Sequence, residues 1–121
     1  MDTLTTYRQI VQDVLTGYYE ETAGAMAGVE RQLVLDATRD HYLLMTVGWE
    51  QNHRVDGCVL HLDIKDGQIW IQHDGTERGI ANDLLERGIP KADIVLAFHA
   101  PYKRPFTGFG VGREQVEPQA A

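Results

Sequence analysis

Between His41 and His73 apolar side chains recur at every second position through successive runs, and the breaks between runs are only a few residues long. Period-two alternation is a strand pattern, and such short breaks oblige each strand to return antiparallel beside the last. The clearest case is Val55 to Ile64 and Gln68 to His73, which flank Lys65-Asp66-Gly67. A short loop containing Asp-Gly supplies the positive φ of a tight hairpin. In the first arm Cys58, Leu60, Leu62 and Ile64 line one face, opposite Val59, His61 and Asp63; in the second, Ile69, Ile71 and His73 alternate with Trp70 and Gln72. His41 to Trp49 carries Leu43, Met45, Val47 and Trp49 on one face and Tyr42, Leu44, Thr46 and Gly48 on the other, the pattern of an inner strand. The polar run Glu50 to Arg54 reads as an exposed hairpin loop. Upstream, Arg31 to Asp36 alternates into a tight connection at Thr38-Arg39-Asp40, which completes a four-strand meander.

Around this sheet the period changes to 3.6. Leu4, Tyr7, Ile10, Val11, Val14, Leu15 and Tyr18 recur at spacings of three and four, which predicts a helix from about Leu4 to Tyr19 that buries Leu4, Ile10, Val14 and Leu15. Asp2 or Thr3 can cap it, and Gly24 to Gly28 ends it in a loop. A second, short helix is expected over Glu77 to Arg87, capped by Thr76 and stopped by Gly88 and Pro90. Ile94 to Phe98 is a candidate C-terminal strand, and Pro101 to Gly112, with its prolines and glycines, reads as an irregular or edge element. The fold class is therefore α+β: a mainly antiparallel sheet, a long N-terminal helix and a short second one.

At 121 residues the chain fits one compact unit. Its formal net charge of −7 opposes tight sequence-independent DNA binding, which rests on cations replacing counterions at phosphates. No apolar run approaches a bilayer span, and Met1 to Glu20 shows no secretory h-region, so the expected place is the cytoplasm. Cys58 is the sole cysteine, which rules out an internal disulfide, and serine is absent, so nucleophilic triads have no obvious nucleophile. The alternation of its strand gives Cys58 the place of a small core residue.

Few residues invite chemistry. His61 and Asp63, two apart on a strand, share a face and suit one edge of a metal site or an acid/base pair, with His73-Asp74 able to join from the next strand. The competing reading is that they are the solvated side of a half-buried sheet. Asp63-Ile64-Lys65 invites comparison with nucleases in which carboxylates hold a metal and a lysine assists the attacking water. A metal-dependent phosphodiesterase using His61, Asp63 and Lys65 is thus the enzymatic alternative, although a second upstream carboxylate is not evident. Gly108 to Gly112 superficially resembles a phosphate loop but lacks the Lys-Ser/Thr pair and the following helix. Trp49 and Trp70, on strands, read as core residues before hot spots. Lys103-Arg104 beside Tyr102 and Phe106 is the only basic-aromatic cluster, so direct DNA binding through Lys103 and Arg104 is a further alternative.

Longer blocks carry a resemblance. Asp40-His41-Tyr42-Leu43-Leu44-Met45 with Gly48-Trp49, Gly57 to Ile64, Asp66-Gly67, Ile69 to Gln72, Asp74 to Glu77, Gly79-Ile80-Ala81, Gly88 to Lys91, Asp93 to Leu96, Phe98-His99 and Thr107-Gly108-Phe109 stand in order along the chain. The pattern resembles XisI, the fdxN element excision controlling factor family of cyanobacteria. The resemblance spans roughly residues 3 to 112, which sets a single XisI-like domain at 1–112 and a flexible tail at 113–121. It implies a non-catalytic accessory or controlling factor for programmed site-specific DNA excision in heterocyst differentiation, acting beside a separate recombinase and a nuclease-related companion, XisH. It implies no catalytic, metal or cofactor residues. A small domain without a catalytic set acts through a surface, and Tyr102, Phe106 and Phe109 are the candidate interaction residues, either for a homodimer or for a XisH-like protein.

Overall fold

The structure, a computed structural model, describes residues 2–112. The expected tail at 113–121 lies outside the described residues. The chain runs α1 (Thr3–Thr22), β1 (Val29–Asp36), β2 (His41–Glu50), β3 (His53–Lys65), β4 (Gln68–Asp74), α2 (Ile80–Glu86) and β5 (Ile94–Leu96), then a 3-10 helix at Pro101–Phe106. The strands lie side by side in sequence order, antiparallel from β1 to β4, with β5 parallel to β4. The mixed edge follows from α2, which carries the chain back across the sheet so that β5 starts from the same end as β4.

Asp2 is the cap of α1: its carboxylate accepts the Thr5 N–H at 2.7 Å, and that bond holds the carboxyl below its ordinary value. Tyr7, Ile10, Val11 and Leu15 form the buried stripe. Leu4 and Val14, expected inside, are only half-buried, because the helix presents the 7-11-15 line to the sheet and leaves them on its flanks. Two bonds fix how α1 lies. The Tyr7 hydroxyl donates to Asp93 just before β5, and Arg8 binds Asp40 through both carboxylate oxygens at 2.8 and 3.0 Å. Asp40, at φ 62°, turns the chain from β1 into β2.

The Glu50 to Arg54 loop is a correction. β2 and β3 run on until only Gln51 and Asn52 turn, with Gln51 at φ 58°, Glu50 paired to His53 and Trp49 to Arg54. Polar side chains suit a projecting two-stranded ribbon, whose faces both meet water. Trp49 is 55% exposed there, not in the core, with the Arg54 guanidinium 5.5 Å from its ring.

α2 is shorter than Glu77 to Arg87, and its cap differs. Gly79 at φ 84° cannot continue a helix, and Asp74, not Thr76, reaches across the loop: Oδ2 accepts the Ile80 N–H at 2.8 Å and Oδ1 the Thr76 N–H at 2.9 Å. The C-terminus follows expectation, with Gly88 at φ 93°, Gly88 N–H bonded to the Leu85 carbonyl and Ile89 N–H to that of Leu84. Ile89 folds back onto Leu84, both buried.

Both helices cover one sheet face, where Tyr42, Leu44, Leu60, Leu62, Ile64, Ile69, Ile71 and Ile94 complete the core. Two bulges keep that face apolar. Leu44 pairs with Leu60 but Met45 with Cys58, so Val59 is extra; Leu62 pairs with Ile71 but His61 with His73, so Gln72 is extra. Each bulge reverses the phase of its strand. Cys58 therefore lies with Met45 on the outer face and not with Leu60, and His73 lies with His61 and not with Ile71, contrary to simple alternation. Half-burial pushes the Cys58 thiol pKa up.

Candidate functional site

The outer sheet face carries the polar groups that chemistry requires. His41 pairs with Asp63 across β2 and β3, and His61 stands two residues before Asp63 on the same strand. Asp63 Oδ1 takes both imidazoles, His41 Nδ1 at 2.8 Å and His61 Nε2 at 3.0 Å. The Gln72 amide donates to Asp63 Oδ2 at 3.2 Å from the bulge of β4, so both carboxylate oxygens are held. Asp63 is the least exposed member at 16%, His61 is intermediate at 34% and His41 is open at 53%. The three ligand atoms lie within 4.8 Å of one another.

His61 and Asp63 thus meet as their spacing suggests, but the third member is His41 and neither His73 nor Asp74. His73 is exposed beside His61, and Asp74 is engaged in capping α2. Lys65, two residues after Asp63 on the same strand, has its Nζ 4.1 Å from the ring centre of Trp70, the residue paired with Asp63.

The C-terminal segment also folds onto the outer face. Trp70, paired with Asp63 and Val95, is fully buried because residues 97–112 close over it. Its indole N–H donates to the Lys65 carbonyl at 3.1 Å. Arg104, only 5% exposed, lies 5.5 Å from the Trp70 ring and donates to the carbonyls of His99 at 3.1 Å, Ala97 at 3.2 Å and Val111 at 3.5 Å. It is a brace inside the fold, which removes it from the Lys103-Arg104 pair proposed for DNA. Gly108 to Gly112 is no phosphate loop: Gly110 bridges to Val95, and Gly112, at φ 80°, lies flat on Trp70, where a Cβ would collide with the indole.

That brace leaves aromatics on the outside. Phe106 is 87% exposed, Tyr102 72% and Phe98 50%. Phe109 departs from the expected trio: it packs against the core, with the Lys91 ammonium 5.5 Å from its ring. Between α1 and α2 runs a shallow polar groove crossed by Arg87–Asp13 at 3.2 Å and Arg78–Glu21 at 3.5 Å, which closes the helices onto each other. Among the described residues no helix is long and apolar enough to cross a membrane.

The chain matches the XisI protein family over residues 1–111. It superposes on the crystal structure of a XisI-like protein from Anabaena variabilis with a TM-score of 0.85, at 45% identity, covering 90% of this chain and 99% of that one. A second crystal structure, of fdxN element excision controlling factor XisI from Anabaena variabilis, gives a TM-score of 0.82 at 39% identity, covering 92% of this chain and 100% of that one. No curated protein matches.

Proposed function

The chain belongs to the XisI family, and on that premise we propose that it works as an excision controlling factor: a non-catalytic accessory protein that acts by contact with a XisH-like, nuclease-related partner. One observation carries this reading. Phe106 and Tyr102 stand in water at 87% and 72% exposure on a 3-10 helix that is anchored from beneath by Arg104. Exposed aromatics on a rigid support lose little conformational entropy when covered, and aromatic residues dominate the energetics of protein interfaces. The net charge of −7 favours a basic protein partner over the phosphate backbone. A second copy of the chain is the competing occupant of the same surface.

The test is solution mass by light scattering, for the chain alone and mixed with a XisH-like protein. The native chain is expected to form the mixed complex, and a Tyr102→Ala, Phe106→Ala variant to lose it. Phe109 is left intact because it packs on the core. A native chain that stays monomeric and ignores the partner refutes the reading, whereas association untouched by the double variant relocates the surface.

A further inference from the structure

We propose that His41, His61 and Asp63 form a binding site for one divalent transition-metal ion of the zinc class, open to solvent on the outer face of the sheet. The donor set selects the class of ion. Two imidazoles and one carboxylate suit zinc, cobalt or nickel, whereas magnesium and calcium require oxygen donors throughout.

Spacing agrees with that chemistry. Metal–ligand bonds of about 2.0–2.2 Å place neighbouring ligand atoms about 3.0–3.5 Å apart around one ion. His41 Nδ1 and His61 Nε2 already stand 2.8 and 3.0 Å from Asp63 Oδ1. The widest of the three separations is within 4.8 Å, so a modest ring rotation closes the set. The nitrogens now facing Asp63 become ligands when each neutral ring carries its proton on the other nitrogen, a tautomer change that releases no proton.

The setting is pre-organised. The ligands come from paired positions on two strands, so backbone hydrogen bonds fix their separation. Gln72 holds the second oxygen of Asp63, the kind of outer contact that orients a ligating carboxylate. His41 is half-exposed, which gives an ion access from solvent. Three protein ligands leave at least one position for water.

The experiment is calorimetric titration of the untagged, metal-stripped full chain with Zn²⁺, paralleled by Co²⁺ followed through its visible absorption. One equivalent of each ion is expected to bind saturably, with no uptake of Mg²⁺ at the same concentration. His41→Ala, His61→Ala and Asp63→Asn should each weaken Zn²⁺ binding at least about tenfold, and His53→Ala, at the distant turn, should not. Circular dichroism verifies the fold of each variant, and the exposed His41 supplies one whose loss leaves the core intact. The proposal is overturned if the native chain takes up no Zn²⁺ saturably, if a His41→Ala, Asp63→Asn double variant still binds as the native chain does, or if His53→Ala abolishes binding.

Discussion

Replacing Arg104 tests whether the C-terminal segment is a structural cover or a loose appendage. The guanidinium donates to three carbonyls and lies over Trp70, and it is 5% exposed. Arg104→Ala removes every one of these contacts at once. A buried carbonyl left without its donor costs about 1–3 kcal/mol, least for the long Val111 contact. The lost cation–π contact adds about 1 kcal/mol. Water entering the vacated space satisfies part of this, so a net loss of about 3–4 kcal/mol is expected, a large share of the stability of a domain this size. In a melt it corresponds to a shift of about 10–15 °C. Urea unfolding followed by tryptophan fluorescence reads it directly, since Trp70 is buried and becomes exposed. Arg104→Lys keeps the charge but not the fork of donors, and should recover less than half of the loss. If Arg104→Ala unfolds within about 0.5 kcal/mol of the native chain, a value ordinary for surface positions, the guanidinium does not brace the segment and is free for another role.

Leu15→Ala, at the centre of the buried stripe of α1, should cost about 2–5 kcal/mol in urea unfolding, and the half-buried Val14 clearly less on the same change. A larger loss at Val14 would put the wrong face of α1 against the sheet. Acid should weaken the fold through Asp40, whose carboxyl is held below its usual value first by Arg8 and then by Tyr42. The sign follows from a folded value below the unfolded one: the contribution is present above the unfolded value, near 3.8, and is lost as the pH falls through the folded value. Urea midpoints measured from pH 7 to pH 3 should therefore drop at the acid end, and Asp40→Asn, which also tolerates the left-handed backbone, should flatten that drop.

The architecture was legible because its signals are local. Alternation in the four strands, Asp66-Gly67 at the hairpin and Gly88 after α2 each state a backbone geometry within a few residues. The direction of β5 was not legible, since three apolar residues read alike in a parallel or an antiparallel pair. Trp49 misled for a related reason: its alternation is that of an inner strand, but with Met45 and Val47 it lies on the sheet face away from the helices, beside the turn, where it is 55% exposed. Arg104 lay beside Lys103 in a run that reads as surface charge. Nothing local distinguishes a guanidinium that will cover a tryptophan more than thirty residues away.

His41 was missed because the register that delivers it depends on a bulge. With a two-residue turn at Gln51-Asn52 and unbroken pairing, His41 would face Leu62, and Tyr42 would face His61. The sequence does mark the slip. Cys58-Val59-Leu60 are three apolar residues in succession within a strand that otherwise alternates, and Gln72-His73-Asp74 are three polar ones in the next. Such runs are where one residue has no partner. The slip at Val59 lets Leu60, Leu62 and Ile64 stay on the helix side although Val55 began the strand on that same side at the opposite parity. Burial of Tyr42 against Leu62 and of Leu44 against Leu60 therefore selects the shifted register, and the same register brings His41 to Asp63. The histidine–carboxylate cluster on one face is held in place by the apolar free energy of the other, so a change that restored regular pairing would have to turn core residues toward water in order to dismantle it.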